Sequence, residues 1–250
     1  HVVSWIPAGQ RADRLFLSAR SKFAAGEAIR GGVPVCFPQF ADQGPLPNHG
    51  FARTSAWALA STQALGTGGA RAVLRLDDSP ATRTLWPHAF TAEMAVAVIG
   101  RSLDLRLTIA NRGSAAFEFT AALHSYLRVD DIRHAVVQGL AGTRYRDKIL
   151  SRDDVLESVP TLAIDRAIDR VYYAAPDKLE VQESGRVTSV RATGFPDTVV
   201  WNPWIERGAA IEDLESGGYA HMLCVEAAAA RAPVRVEPGR AWIGTQTLVA

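Results

Sequence analysis

Between Ser102 and Ile109 the chain alternates strictly, with Leu103, Leu105, Leu107 and Ile109 apolar and Ser102, Asp104, Arg106 and Thr108 polar. A period of two places each set on its own face of an extended chain, so this stretch is a half-buried strand rather than a helix. The run before it keeps the same rhythm through Phe90, Ala92, Met94, Val96 and Val98, and Gly100-Arg101 between the two runs makes a hairpin. Further strands read at 72–76, 116–129, 179–182, 187–192, 198–201, 221–226, 234–236 and 242–249, some parted by turns such as Glu183-Ser184-Gly185-Arg186. No long amphipathic helix interrupts them. Residues 151–157 read as a short helical turn capped by Ser151. Many short strands and few helices imply an all-β chain, a large antiparallel β-sandwich. With no linker-like stretch and no internal repeat, residues 1–250 read as a single domain.

Charge narrows the possible partners. Lys+Arg 27 against Asp+Glu 26 leaves a formal +1, which argues against a broad electrostatic footprint for nucleic acid or an anionic membrane. No stretch approaches the roughly 18 apolar residues of a membrane helix. Cys36 and Cys224 make neither a disulfide framework nor a zinc site, so a reducing, cytoplasmic setting is expected.

Five segments carry residues whose chemistry goes beyond the strand rhythm. In Arg30-Gly31-Gly32-Val33-Pro34-Val35-Cys36-Phe37-Pro38, glycines and prolines fix an irregular loop that can hold Arg30 toward an anion. Pro47-Asn48-His49-Gly50-Phe51-Ala52-Arg53 gathers an amide, an imidazole and a guanidinium, an inventory suited to hydroxyls plus a phosphate or carboxylate. By parity His124 and Tyr126 share the face opposite Phe117, Phe119 and Leu123. Glu226 follows the apolar run Met222-Leu223-Cys224-Val225, where a bare carboxylate is costly unless paired or functional. Trp201-Asn202-Pro203-Trp204 sets aromatic faces at a strand end that the proline must stop. Each segment taken alone reads more readily as a solvated loop or a structural strand residue, and it is their joint occurrence in this order that weakens that reading.

Taken in order, IRGGVPVCFPQF, LPNHGFAR, TLWPHAF, LHSYLRVDDI, GLAGTRYRDK, DTVVWNPWIE, MLCVE and PGRAWIGTQ resemble the glucose-6-phosphate 1-epimerases, or hexose-6-phosphate mutarotases, of the aldose 1-epimerase superfamily. The resemblance covers nearly the whole chain and implies a galactose mutarotase-like β-sandwich. It implies His124 as general acid and Glu226 as general base. It also implies Arg30, Asn48, His49, Arg53 and Asp169 as substrate-binding residues, the arginines facing the phosphate. The chain departs from the family where Ala227-Ala228 follow Glu226 in place of Pro-Gly, a change expected to alter a loop beyond the base. The family's first strands, upstream of HVVSW, are absent, which is expected to expose a sheet edge.

The activity so implied is interconversion of α and β anomers of aldohexose 6-phosphates, chiefly glucose 6-phosphate. It needs no cofactor and no metal, and the expected protein is a monomer with a small sugar phosphate as its partner. An ionised Glu226 takes the C1 hydroxyl proton and a protonated His124, kept charged by a nearby carboxylate, gives one to the ring oxygen. Competing readings are a mutarotase for unphosphorylated aldoses, a non-catalytic sugar-phosphate-binding sandwich, and a glycosidase using two carboxylates.

Overall fold

In the computed structural model, which describes residues 1–66 and 68–250, Leu103, Leu105, Leu107 and Ile109 are all at most 1% exposed. Their strand, Ser102–Asn111, pairs antiparallel with Phe90–Ile99 and with Ala241–Val249. Gly100 (φ 58°) begins the two-residue turn of the hairpin, the position at which a type II′ turn favours glycine. Ser184 (φ 43°) and Gly185 (φ 79°) close the 178–183/186–193 hairpin with positive φ at both positions, the type I′ pattern.

Among the described residues the strands form two sheets of eight and nine strands. The nine-stranded sheet runs Thr161–Ala163, Val136–Gln138, Lys178–Glu183, Arg186–Thr193, Ala241–Val249, Ser102–Asn111, Phe90–Ile99, Gly69–Asp77, Ala58–Leu65. The eight-stranded sheet runs Val35–Cys36, Phe117–Leu123, Met222–Val236, Asp197–Asn202, Ile168–Tyr173, Arg144–Asp147, Arg152–Leu156, with Tyr126–Arg128 also on Met222–Val236. Inward side chains of both sheets, among them Leu105, Phe119, Leu123, Tyr172, Val200 and Val225, make one core. The outer face of the eight-stranded sheet carries a second apolar cluster of Cys36, Phe40, Ala41, Ala122, Val171, Tyr173, Val199, Ala228 and Ala230. Met222 through Ala230 are therefore buried on both faces of their strand.

Several expectations need correction. Residues 151–157 are not helical: Arg152–Leu156 is a strand paired with Arg144–Asp147, with Ser151 (φ 51°) and Asp154 (φ 57°) bending the chain. The 116–129 strand breaks at His124-Ser125. The 221–226 and 234–236 segments belong to one strand, Met222–Val236, whose register shifts between Ala229 and Val234. Ala227 and Ala228 lie inside that strand, opposite Leu123 and Ala122, so no loop follows Glu226. Two six-residue helices, Pro80–Leu85 and Trp204–Ala209, went unread. The first is fixed by a reciprocal Ser79–Thr82 cap with proline in its first turn. Ala58–Leu65 is an exposed edge strand, and no helix among the described residues is long and apolar enough to cross a membrane.

Candidate active site

The break at His124-Ser125 interrupts the hydrogen bonding of the strand but not its register. Leu123 faces Ala227 and Tyr126 faces Cys224, so His124 stands directly across from Glu226. Through the break, the His124 N–H donates to the Pro34 carbonyl and the Ser125 N–H turns back to Leu123. From beneath, Ser125 Oγ donates to Gln246, whose amide donates in turn to the Val225 carbonyl. This polar bridge joins the two sheets directly under the pair. On the outer face, His124 Nε2 lies 3.3 Å from Glu226 Oε1, with side chains 8% and 1% exposed. Tyr126 stacks on His124 at 4.7 Å and 10° between planes, as the shared face requires.

The remaining groups follow from parity and from two loops. Val199 lies opposite Glu226, Trp201 opposite Cys224, and Asp169 opposite Trp201, all on the outer face. Arg30 enters on a loop that only glycine permits, since a Cβ at Gly32 (φ +63°) would sit 2.1 Å from the Val2 carbonyl oxygen. His49 (φ 67°) and Gly50 (φ 70°) turn the second loop back on Phe37, where a Gly50 Cβ would lie 2.3 Å from the carbonyl oxygen. Asn48, His49 and Arg53 then reach the same cleft of about 380 Å³ as Arg30, His124, Asp169 and Glu226. All seven residues singled out in the sequence are thus brought together. Lys148, one of only three lysines among the 27 basic residues, joins them with no motif in the sequence to mark it. Lys148 lines this cleft, its Nζ 5.2 Å from the centre of the Phe40 ring.

Burial governs the protonation of the central pair. It pushes the Glu226 carboxyl well above the ordinary carboxylate range, helped by the nearby Asp169 and opposed by Lys148 and Arg53. It pushes His124 well below the ordinary imidazole range, and His49, Arg30 and Arg53 add to the effect. The expectation that a neighbouring carboxylate keeps His124 charged is therefore overturned: dryness outweighs proximity. A carboxylic acid beside a neutral imidazole and a carboxylate beside an imidazolium contain the same single proton, and differ only in its position along the 3.3 Å contact. Glu226 Oε2 and His124 Nδ1 have no hydrogen-bond partner. A buried polar atom left so costs about 1–3 kcal/mol, which a bound hydroxyl or ring oxygen would offset.

His49 is held neutral, its pKa lowered to about 3 by burial and then by Arg53, Lys148 and Arg30. The Ala41 N–H donates to its Nδ1 at 3.2 Å, which leaves the proton of the neutral ring on Nε2. Arg30 Nε donates to Asp213 (3.1 Å) and its Nη1 to the Tyr126 hydroxyl (3.0 Å), leaving three of five N–H groups free of these partners. Burial works against its charge, but Tyr126 and Asp213 outweigh that and raise its pKa. Arg53 donates to the Asn48 carbonyl (2.9 Å), and among the described residues no carboxylate lies within ion-pair distance of Arg53 or Lys148.

A histidine and a glutamate on adjacent strands, buried together beneath a cleft of polar and cationic side chains, are groups able to move protons on a bound ligand, the chemistry of an isomerase. The chain belongs to the aldose 1-epimerase family, whose profile matches residues 1–248. It is 37% identical over 248 residues to a protein of Cenchrus ciliaris described as "Putative glucose-6-phosphate 1-epimerase", covering 95% of this chain and 75% of that one. It is also 37% identical over 236 residues to an Escherichia coli K12 protein of the same description, with 91% and 76% covered. A crystal structure of a "putative mutarotase (YeaD)" from Salmonella typhimurium superposes with a TM-score of 0.91 at 33% identity, covering 100% of this chain and 83% of that one. The galactose mutarotase-like sandwich implied by the resemblance is the fold observed, and the enzyme is an epimerase of the mutarotase kind.

Proposed function

We propose that the enzyme interconverts the anomers of aldohexose 6-phosphates, with glucose 6-phosphate as chief substrate. The observation that carries this reading is the dry His124–Glu226 contact of 3.3 Å, set in a cleft with two cations free of carboxylate partners. In the charge-separated form of the pair, Glu226 takes the proton of the C1 hydroxyl. The C1–O5 bond breaks as that oxygen becomes the aldehyde carbonyl, and His124 delivers its proton to O5. Rotation about C1–C2 presents the other face of the aldehyde. His124 then takes the proton back as O5 attacks C1, and Glu226 returns its own to the new hydroxyl. The pair ends with the one proton it began with, so no cofactor enters the balance. Asn48, His49 Nε2–H and Asp169 hold ring hydroxyls, Trp201 offers an apolar face, and Arg53, Lys148 and the free edge of Arg30 hold the phosphate.

Exchange NMR on α-glucose 6-phosphate and on glucose, with spontaneous rates subtracted, tests the reading. Anomer exchange is expected for both, and faster for the phosphate at equal low concentration. Absence of enzyme-dependent exchange on glucose 6-phosphate would end it.

The pH profile follows from the same pair. The active state carries one proton; a second is added only below the depressed pKa of His124, and the one is lost only above the raised pKa of Glu226. Turnover is therefore expected to stay nearly level through neutral pH, above the phosphate's own titration near 6, and to fall on the alkaline side only once the raised Glu226 carboxyl loses its proton. An imidazolium with the ordinary pKa of about 6.5 would instead lose about tenfold per pH unit from neutral pH upward.

A further inference from the structure

A second cleft, of about 430 Å³, opens on the same outer face of the eight-stranded sheet. Val171, Tyr173 and Ala230 line it, and they belong to the same apolar cluster as Phe40, Ala41 and Val199 of the catalytic cleft. The two clefts also meet along the chain, since Asp42 lines one and Gln43 the other. Across the sheet, Glu226 lies opposite Val199, Val199 opposite Val171, and Val171 opposite Arg146. Three strand spacings therefore separate Arg146 from Glu226, roughly 14 Å between backbones. An extended arginine shortens that to about the reach of two linked pyranose rings.

The walls of this cleft carry two arginines and two aspartates. Arg146 and Arg231 both face it, and among the described residues neither has a carboxylate within ion-pair distance. Arg231 is steadied 4.1 Å from the centre of the Tyr173 ring. The two acids in the same wall are engaged: Asp154 is bound by Arg144 at 2.9 Å, and Asp153 accepts from the Tyr173 hydroxyl and the Asp154 N–H, both at 2.8 Å. Two guanidinium groups without an ion-pair partner, near an Asp153 held by Tyr173 and on an apolar floor continuous with a sugar site, have the chemistry of a phosphate-class subsite.

We propose that this cleft is an extension subsite, and that the substrate class includes reducing disaccharides phosphorylated on the non-reducing unit. The reducing unit occupies the His124–Glu226 pair and Arg146 and Arg231 take the remote phosphate. The inference rests on the proposed mutarotase reading and widens its substrate range. Maltose 6′-phosphate is the probe, compared with maltose and with glucose 6-phosphate by exchange NMR. The wild-type enzyme is expected to exchange maltose 6′-phosphate about 10–100-fold more efficiently than maltose, the range of one or two charge-assisted contacts. The R146A/R231A variant is expected to lose that gain while keeping glucose 6-phosphate exchange within about twofold. Both arginines are exposed, so the variant's fold is checked simply by circular dichroism. No gain over maltose in the wild type, or an equal loss on glucose 6-phosphate in the variant, overturns the subsite while leaving the mutarotase reading standing. If glucose 6-phosphate itself is not turned over, that reading fails first. Calorimetric binding of maltose 6′-phosphate, weakened by R146A/R231A or indifferent to it, then decides the subsite alone.

Discussion

Glu226→Gln is expected to lower kcat for glucose 6-phosphate anomerisation by about 10²–10⁴-fold, the contribution of one positioned acid–base group, with little change in KM. The substitution keeps shape and volume and removes only the exchangeable proton site. Because burial favours the neutral form of the Glu226 carboxyl, an amide of the same shape is tolerated at that place, and the melting temperature is expected to move little. That separates chemistry from folding: a large drop in rate beside an unchanged circular dichroism melt assigns proton transfer to Glu226. His124→Gln is expected to cost a comparable factor. The double variant should fall well short of the product of the two, because a single proton passes between the partners and either loss disables both. Fully multiplicative losses would mean that the groups act independently and would remove the shared-proton account. Retention of more than about a tenth of the wild-type rate in Glu226→Gln would remove Glu226 from the chemistry.

The strands that alternate cleanly in the sequence are those whose two faces meet different surroundings. Ser102–Asn111 shows core on one side and polar groups on the other, and its pattern is legible for that reason. Ala58–Leu65 carries no alternation because it is an edge strand with almost every residue exposed. Met222–Ala230 carries none for the opposite reason, being buried on both faces, and Glu226 is conspicuous there as the carboxylate in an apolar run. Face parity placed His124 with Tyr126 correctly even though the strand breaks between them, since a break that keeps register keeps parity. That His124 faces Glu226 is a matter of register between distant segments, which local periodicity does not encode. The protonation of the pair is hidden from the sequence for the same reason. Neighbouring charges can be guessed from a motif, whereas the dryness that decides this pair arises only when the outer cluster closes around it. Lys148 left one faint mark, its rarity among the basic residues, and its place in the cleft follows from pairing of the Arg144–Asp147 strand beside Ile168–Tyr173.

Replacing Arg53 and Lys148 together by alanine is expected to abolish most of the preference for a phosphorylated sugar. The cleft presents three cations, and they are not equivalent. Arg30 is tied to Asp213 and Tyr126, whereas Arg53 holds only a backbone carbonyl and Lys148 rests over a phenyl ring. A charge-assisted hydrogen bond contributes about 1.5–3 kcal/mol, so the loss of two cations should raise KM for glucose 6-phosphate by about 10–100-fold, allowing for what Arg30 retains. The variant also removes two positive charges that favour the Glu226 carboxylate, and kcat can shift for that reason. The shift would fall on glucose and glucose 6-phosphate alike, because both present the same C1 hydroxyl to the same base. The ratio of kcat/KM between the two sugars cancels it and isolates recognition of the phosphate. A collapse of that ratio toward one assigns the phosphate to Arg53 and Lys148. A ratio that survives in this variant and collapses instead in Arg30→Ala would place the anion on the braced arginine. Survival in both would mean that other groups read the phosphate, whereas a ratio near one already in the wild type would mean that the cleft selects by sugar hydroxyls alone and that the substrate is an unphosphorylated aldose.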